Sequence, residues 1–131
     1  MPTTCRWDDA EKTIIYIAYE GNWTWEEYFE VAATSRQMAL TVSHRVDYIG
    51  DFQGGVSPRS GSQMSNGRKV MQNLAPNSGI VVTVDNAFTR IQLSIFKAID
   101  RRLGAIIYSA SSVEEARRII AQQRATRKAP I

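Results

Sequence analysis

The chain has 131 residues, 44% hydrophobic and 22% charged, with a net charge of +3, which is one domain's worth of ordinary globular sequence. A single cysteine, Cys5, and a single histidine, His44, exclude an intrachain disulfide, a multi-cysteine zinc site and a two-histidine metal centre, so no metal or cofactor is expected. No apolar run approaches the roughly 20 residues of a membrane span, and the polar start MPTTCRWDD is unlike a signal peptide; the chain reads as soluble and cytoplasmic.

Residues 13 to 19, TIIYIAY, form a β-branched and aromatic run ending at Glu20-Gly21, the pattern of a buried strand. The preceding CRWDDAEK predicts a short extended piece and a polar turn at Asp8-Asp9-Ala10, hence an N-terminal hairpin with Trp7 toward the core. In GNWTWEEYFEVAATSR, residues 21 to 36, Thr24 and Glu27 have capping-box spacing: the hydroxyl accepts one free backbone N–H and the carboxylate reaches back for another. Trp23 and Tyr28 then occupy the two staple positions. Trp25, Tyr28, Phe29, Ala32 and Ala33 follow at helical spacing and predict the inward stripe. Both tryptophans therefore have structural roles, with ligand stacking as the alternative.

The helix fades near Arg36 to Leu40, and VDYIGDF, 46 to 52, predicts the second main strand with Asp51 near its end. The Gly- and Ser-rich stretch 53 to 67 follows. Ser57-Pro58 reads as a cap followed by proline at the first helical position, predicting a helix from about Pro58 to Leu74. After a turn at Pro76 to Gly79, IVVTV, 80 to 84, is a continuous apolar run typical of a strand covered on both faces. Asp85 or Asn86 caps the next helix, whose stripe is Phe88, Ile91, Ile95, Phe96, Ile99 and Leu103, with Gly104 as its stop. Leu93 extends the apolar surface beyond one stripe, which points to a second buried face and a homodimer. AIIYS, 105 to 109, is the last strand. Ser112 and Glu115 form a second capping box, with Val113, Ala116, Ile119 and Ile120 inward. Arg117, Arg118, Arg124, Arg127 and Lys128 gather with no acid among them, either a helix end favoured by the dipole or a surface arm. No aromatics interleave with them, so nucleic acid is not the expected partner. Residues 1–123 read as one domain and 124–131 as a basic flexible tail.

The order is strand, strand, helix, then strand–helix three times. It predicts an α/β fold: a mostly parallel sheet with right-handed crossovers, an N-terminal hairpin strand and four helices. The segments RWDDAEKTIIYIAYEGNWTWEEYFEVA, VDYIGDF, NSGIVVTVDNAFTRIQLSIF and SSVEEARRII resemble small stand-alone bacterial proteins of the STAS or SpoIIAA-like kind. That resemblance implies a non-enzymatic regulatory module that works by binding a protein partner. Signalling members carry a phosphorylatable serine directly after an aspartate, at the start of the helix following a central strand. Here Ser60, followed by Gly61, is nearest to that serine, with Arg59 where the aspartate stands; Ser57 is the other candidate.

The chemistry follows from this placement. Ligands gather outside the carboxyl ends of strands in open α/β sheets. Backbone N–H groups at a helix start suit an anion, and an arginine adds a fork of donors. Asp51, Ser57, Arg59 and Ser60 are accordingly the candidate partner- or anion-binding residues, against a plain Gly/Ser connection. The loop matches neither a P-loop nor GxGxxG. The alternative is a small-ligand protein, for a lipid or an anion, with a cleft near Trp23, Trp25 and Phe88 and Arg59 or Arg90 at a head group. Asp51 and Asp85 both fall at strand ends; they are either an acid pair or a Mg²⁺ site, or else a loop pin and a helix cap. His44 reads as an exposed connector residue and Cys5 as structural. No catalytic residue is assigned.

Overall fold

The computed structural model describes residues 3–128. In chain order the elements are β1 (Thr3–Trp7), β2 (Ile14–Tyr19), β3 (Gly21–Asn22), α1 (Trp25–Leu40), β4 (Val46–Asp51), β5 (Gly55–Val56) and α2 (Gln63–Gln72). There follow β6 (Ser78–Val84), α3 (Ala87–Ile99), α4 (Arg101–Gly104), β7 (Ile107–Ala110) and α5 (Val113–Lys128). The five-stranded sheet has the order β1-β2-β4-β6-β7, while β3 and β5 pair by themselves. The predicted hairpin is present: β1 runs antiparallel to β2, and the Asp9 carboxylate closes the turn by accepting the N–H groups of Thr13 at 2.9 Å and Ile14 at 3.0 Å.

The expected mostly parallel sheet with four helices is corrected to a mixed sheet with five. The hairpin strand is a full sheet member, paired along its whole length, beside parallel pairings of β2 with β4, β4 with β6 and β6 with β7. The fifth helix arises at Asp100, which ends α3 and starts α4, its side chain accepting the N–H of Leu103 at 3.1 Å. A second correction concerns α2. It begins at Gln63, not Pro58, because Gly61 takes a left-handed φ of +81° and Ser62 then supplies the cap by accepting the Ser65 N–H at 3.1 Å. Residues 124–128, placed in the expected tail, continue α5; residues 129–131 lie outside the described ones.

Alternation along the strands gives the sheet two distinct faces. Ile15, Ile17, Tyr19, Val46 and Tyr48 pack with Trp23 and with Val31 and Ala39 of α1, and Trp7 joins them as predicted. Ile14, Ile49, Ile80, Val82 and Val84 pack against Ala116 and Ile120 of α5, again as predicted for that helix. Two helices depart from expectation. In α1 the inward residues are Val31, Ser35 and Ala39, whereas Phe29 and Ala33 are exposed. In α3 only Phe96 is buried, and Phe88, Ile91, Ile95 and Ile99 face solvent.

Asp47 on β4 is fully buried on the α5 side. Its carboxylate accepts the Ile80 N–H at 2.8 Å and Arg124 Nε at 2.9 Å, with Arg45 and Arg127 each at 3.7 Å. Arg124 also donates to the Thr13 carbonyl at 2.9 Å. A Cβ on Gly79 would run into the Asp47 carboxylate and the Arg45 guanidinium, so glycine is required there. Breaking a buried pair by removing one partner leaves uncompensated charge. Asp47→Ala is therefore expected to cost roughly 3–5 kcal/mol, read as a lower urea midpoint. Arg118→Ala, at an exposed position of the same helix, is expected to stay within about 0.5 kcal/mol of wild type.

Candidate functional site

The stretch that opens α1 builds one wall of the site. Thr24 Oγ1 accepts the Glu27 N–H at 3.1 Å and Glu27 Oε1 accepts the Thr24 N–H at 2.9 Å, the predicted capping box. This fixes Trp23 and Tyr28, whose rings stack with centroids 5.6 Å apart, the predicted staple. Trp25 stands edge-on to both, at 5.2 Å from each. Tyr19 of β2 stacks on Phe52 at 4.3 Å and extends the cluster onto the sheet. Gly55 lets the β5 backbone lie against Tyr19 and Trp23; a Cβ there would stand 2.5 Å from the Tyr19 carbonyl and 2.9 Å from the indole.

Beside this cluster lies a cavity of about 170 Å³ between the sheet and the helices α1, α2 and α3. Tyr19, Trp23, Tyr28 and Phe52 line one side, Met64, Met71 and Leu74 come from α2 and its end, and Leu93 and Phe96 come from α3. Two buried polar groups stand out. Trp23 Nε1 has no hydrogen-bond partner among the described residues, and its edge packs against Gly55. Asp85, 6% exposed, accepts from Thr83 Oγ1 at 3.0 Å and from Ser109 Oγ, and no salt bridge reaches it among the described residues. The roof is α2, which has no buried residue. The turn before it is tied by Trp25 Nε1 donating to the Ser60 carbonyl at 2.6 Å, its middle by Arg68 pairing with Asp100 at 3.2 Å, and its end by Arg36 Nε donating to the Asn73 carbonyl at 3.0 Å.

The candidate residues are distributed unevenly. Trp23, Trp25 and Ser57 line the cavity. Arg59 and Phe88 lie on a shallower depression between the 57–64 segment and the start of α3. Ser60 and Arg90 are exposed. Asp51 is on the opposite face of the sheet, accepting from the Tyr16 hydroxyl at 2.6 Å and from the Gln53 N–H at 3.0 Å. Asp51 pairs in register with Val84, so Asp85, one residue further, faces the cavity while Asp51 faces α5; the two acids share no site. Asn86, not Asp85, caps α3, by accepting the Thr89 N–H at 2.9 Å. His44 is exposed, with Nε2 at 2.8 Å from the Lys12 carbonyl, and Cys5 lies half-buried, its Sγ 3.7 Å from Met38 Sδ, where burial pushes its thiol up. No group of three or more His, Cys, Asp or Glu among the described residues is placed to hold a metal ion.

The sequence reading missed Asp85 as a cavity group, and it missed the α2 wall. Met64, Gly67, Met71 and Leu74, spaced by three and four, were the available signal for that wall.

Two tyrosines, one on each face of the sheet, report the packing. Tyr28 is partly exposed as a residue, but its hydroxyl lies under α2, 3.9 Å from where a Cβ on Gly67 would stand. Burial pushes its phenol up to about 12. Tyr16 is likewise pushed up to about 12, by burial first and then by its hydrogen bond to Asp51. Free tyrosine ionises near about 10. A folded value above the unfolded one stabilises the fold below about pH 10, and this contribution is lost as pH rises toward 12. Alkaline titration followed by phenolate absorbance is expected to show these groups ionising late in the native protein and near the ordinary value in denaturant. Coincident curves would contradict the packing described. No family model matches the chain, and no curated protein matches it either.

Proposed function

We propose that the chain is a non-enzymatic binding protein of STAS-like architecture that encloses a small apolar molecule between its sheet and α1–α3. The observation that carries this reading is the apolar cavity walled by the side chains of Tyr19, Trp23, Tyr28 and Phe52, with the Asp85 carboxyl as a polar group among them. The volume, about 170 Å³, is close to that of apolar cavities that hold benzene, roughly 150 Å³. A single ring or a short chain fits. The carboxyl of Asp85 in the wall opposes an anionic group at depth and favours a ligand with one hydrogen-bond donor.

Indole has this chemistry and size, two fused apolar rings and one N–H. Wild type is expected to bind it with heat released in a calorimetric titration. Leu93→Trp, which fills the cavity, is expected to weaken binding about tenfold or more, equivalent to losing ~1.4 kcal/mol of apolar contact. Equal affinity in both proteins, or no binding, would remove the reading; a ligand retained in the native mass spectrum of protein purified from its own cells would identify the natural occupant.

A second reading is docking of the surface from Asp51 to Ser65 onto a protein partner. The exposure of Arg59 and Ser60, beside the bond that fixes the Ser60 carbonyl, favours it. On that reading Arg59→Ala releases a partner that wild type retains.

A further inference from the structure

Charge is segregated along this chain. Residues 52 to 104 carry seven bases and only two acids, Asp85 and Asp100, a balance of +5; the remaining residues carry nine bases and eleven acids, a balance of −2. Neither acid of the basic segment presents a free carboxylate to solvent, since Asp85 is buried and Asp100 is held by Arg68. Arg59, Lys69, Arg90, Arg101 and Arg102 are all exposed.

Within this segment α3 turns its larger aliphatic surface outward. Phe88, Ile91, Ile95 and Ile99 are 50, 59, 45 and 65% exposed. Their spacing of three, four and four residues places them in one continuous stripe. Ala87, Ser94 and Ala98 separate that stripe from Arg90 and Lys97 on the far flank, Arg101 and Arg102 follow its C-terminal end, and its N-terminal end meets the depression shared by Arg59 and Phe88.

We propose that this face docks on an anionic lipid surface, with the four apolar side chains in the boundary between head groups and acyl chains and the surrounding cations on the lipid phosphates. Amphipathic helices of this composition lie in the interface plane and depend on both contributions. Charge selects this occupant over two others. A second copy of the chain would set cations against cations, with no exposed acid on the face to pair them. A nucleic acid would satisfy the cations and leave the isoleucine stripe in water. Docking also brings the depression at the end of the stripe to the bilayer. A small apolar molecule dissolved in the membrane is then what enters the cavity; this last step rests on the ligand-binding reading, whereas docking itself does not.

Flotation with vesicles of phosphatidylcholine and phosphatidylglycerol, against phosphatidylcholine alone, tests the proposal. Wild type is expected to float with the anionic vesicles and to lose binding as salt is raised. Ile95→Gln/Ile99→Gln removes only side chains already exposed, so the thermal midpoint and indole binding are expected to persist while vesicle binding falls about tenfold or more. Arg101→Gln/Arg102→Gln is expected to weaken it roughly fivefold per charge. No binding to anionic vesicles, or binding that neither double substitution alters, overturns the proposal. So does a dimer in light scattering that Ile95→Gln/Ile99→Gln converts to monomer, or RNA binding that outcompetes the vesicles. Vesicle binding without any binding of indole upholds docking and removes the ligand reading alone.

Discussion

Asp47 places a carboxylate at zero exposure between the sheet and α5, where three guanidinium groups and the Ile80 N–H converge on it. The charge is tolerable only because it is paired and hydrogen-bonded at once. Through Arg124 and the Thr13 carbonyl the same cluster reaches the start of β2, and through Ile80 it reaches β6. The other end of α5 is held by Arg117 on Asp8, in the hairpin turn, with two bonds of 2.8 and 2.9 Å. A long helix is thus tied at two separated points to the sheet it covers, and the interior beneath it is filled by Ile and Val side chains with Ala116 at the close approach.

That security on one side explains the looseness tolerated on the other. The α5 face is closed by apolar packing and ion pairs. The opposite face carries the aromatic cluster, a capped α1, and a cavity roofed by a ten-residue helix with a glycine at its centre. Leaving space costs contact energy, and the sheet sustains it because its other face is complete. The site is therefore an underpacked region next to a rigid platform, with one buried carboxyl, Asp85, at its wall.

Much of the architecture was legible because it is set locally. The capping box at Thr24 and Glu27, the staple of Trp23 on Tyr28 and the apolar runs of β2, β4 and β6 need only near neighbours to form. Three features were not legible, for three physical reasons. Periodicity shows that α3 is amphipathic, but not which side meets the protein, and its stripe points outward. Ser57-Pro58 has the composition of a helix start, yet the backbone reverses at Gly61 and the cap passes to Ser62. Asp51 and Asp85 both sit at strand ends, but a one-residue difference in register sends them to opposite faces of the sheet. The cavity is invisible to any of these signals, since a void is a property of how elements meet.

Among the described residues the roof of the cavity hangs from three polar contacts, the Trp25 indole on the Ser60 carbonyl, Arg68 on Asp100 and Arg36 on the Asn73 carbonyl. No side chain of α2 is fully sequestered, so lifting it breaks those links and the partial apolar contacts of Met64, Met71 and Leu74. Backbone amides of residues 63–72 should therefore exchange with deuterium long before those of β4 and β6, by a local opening far cheaper than global unfolding. On the proposed binding role, that opening admits a guest while the sheet and α5 stay closed.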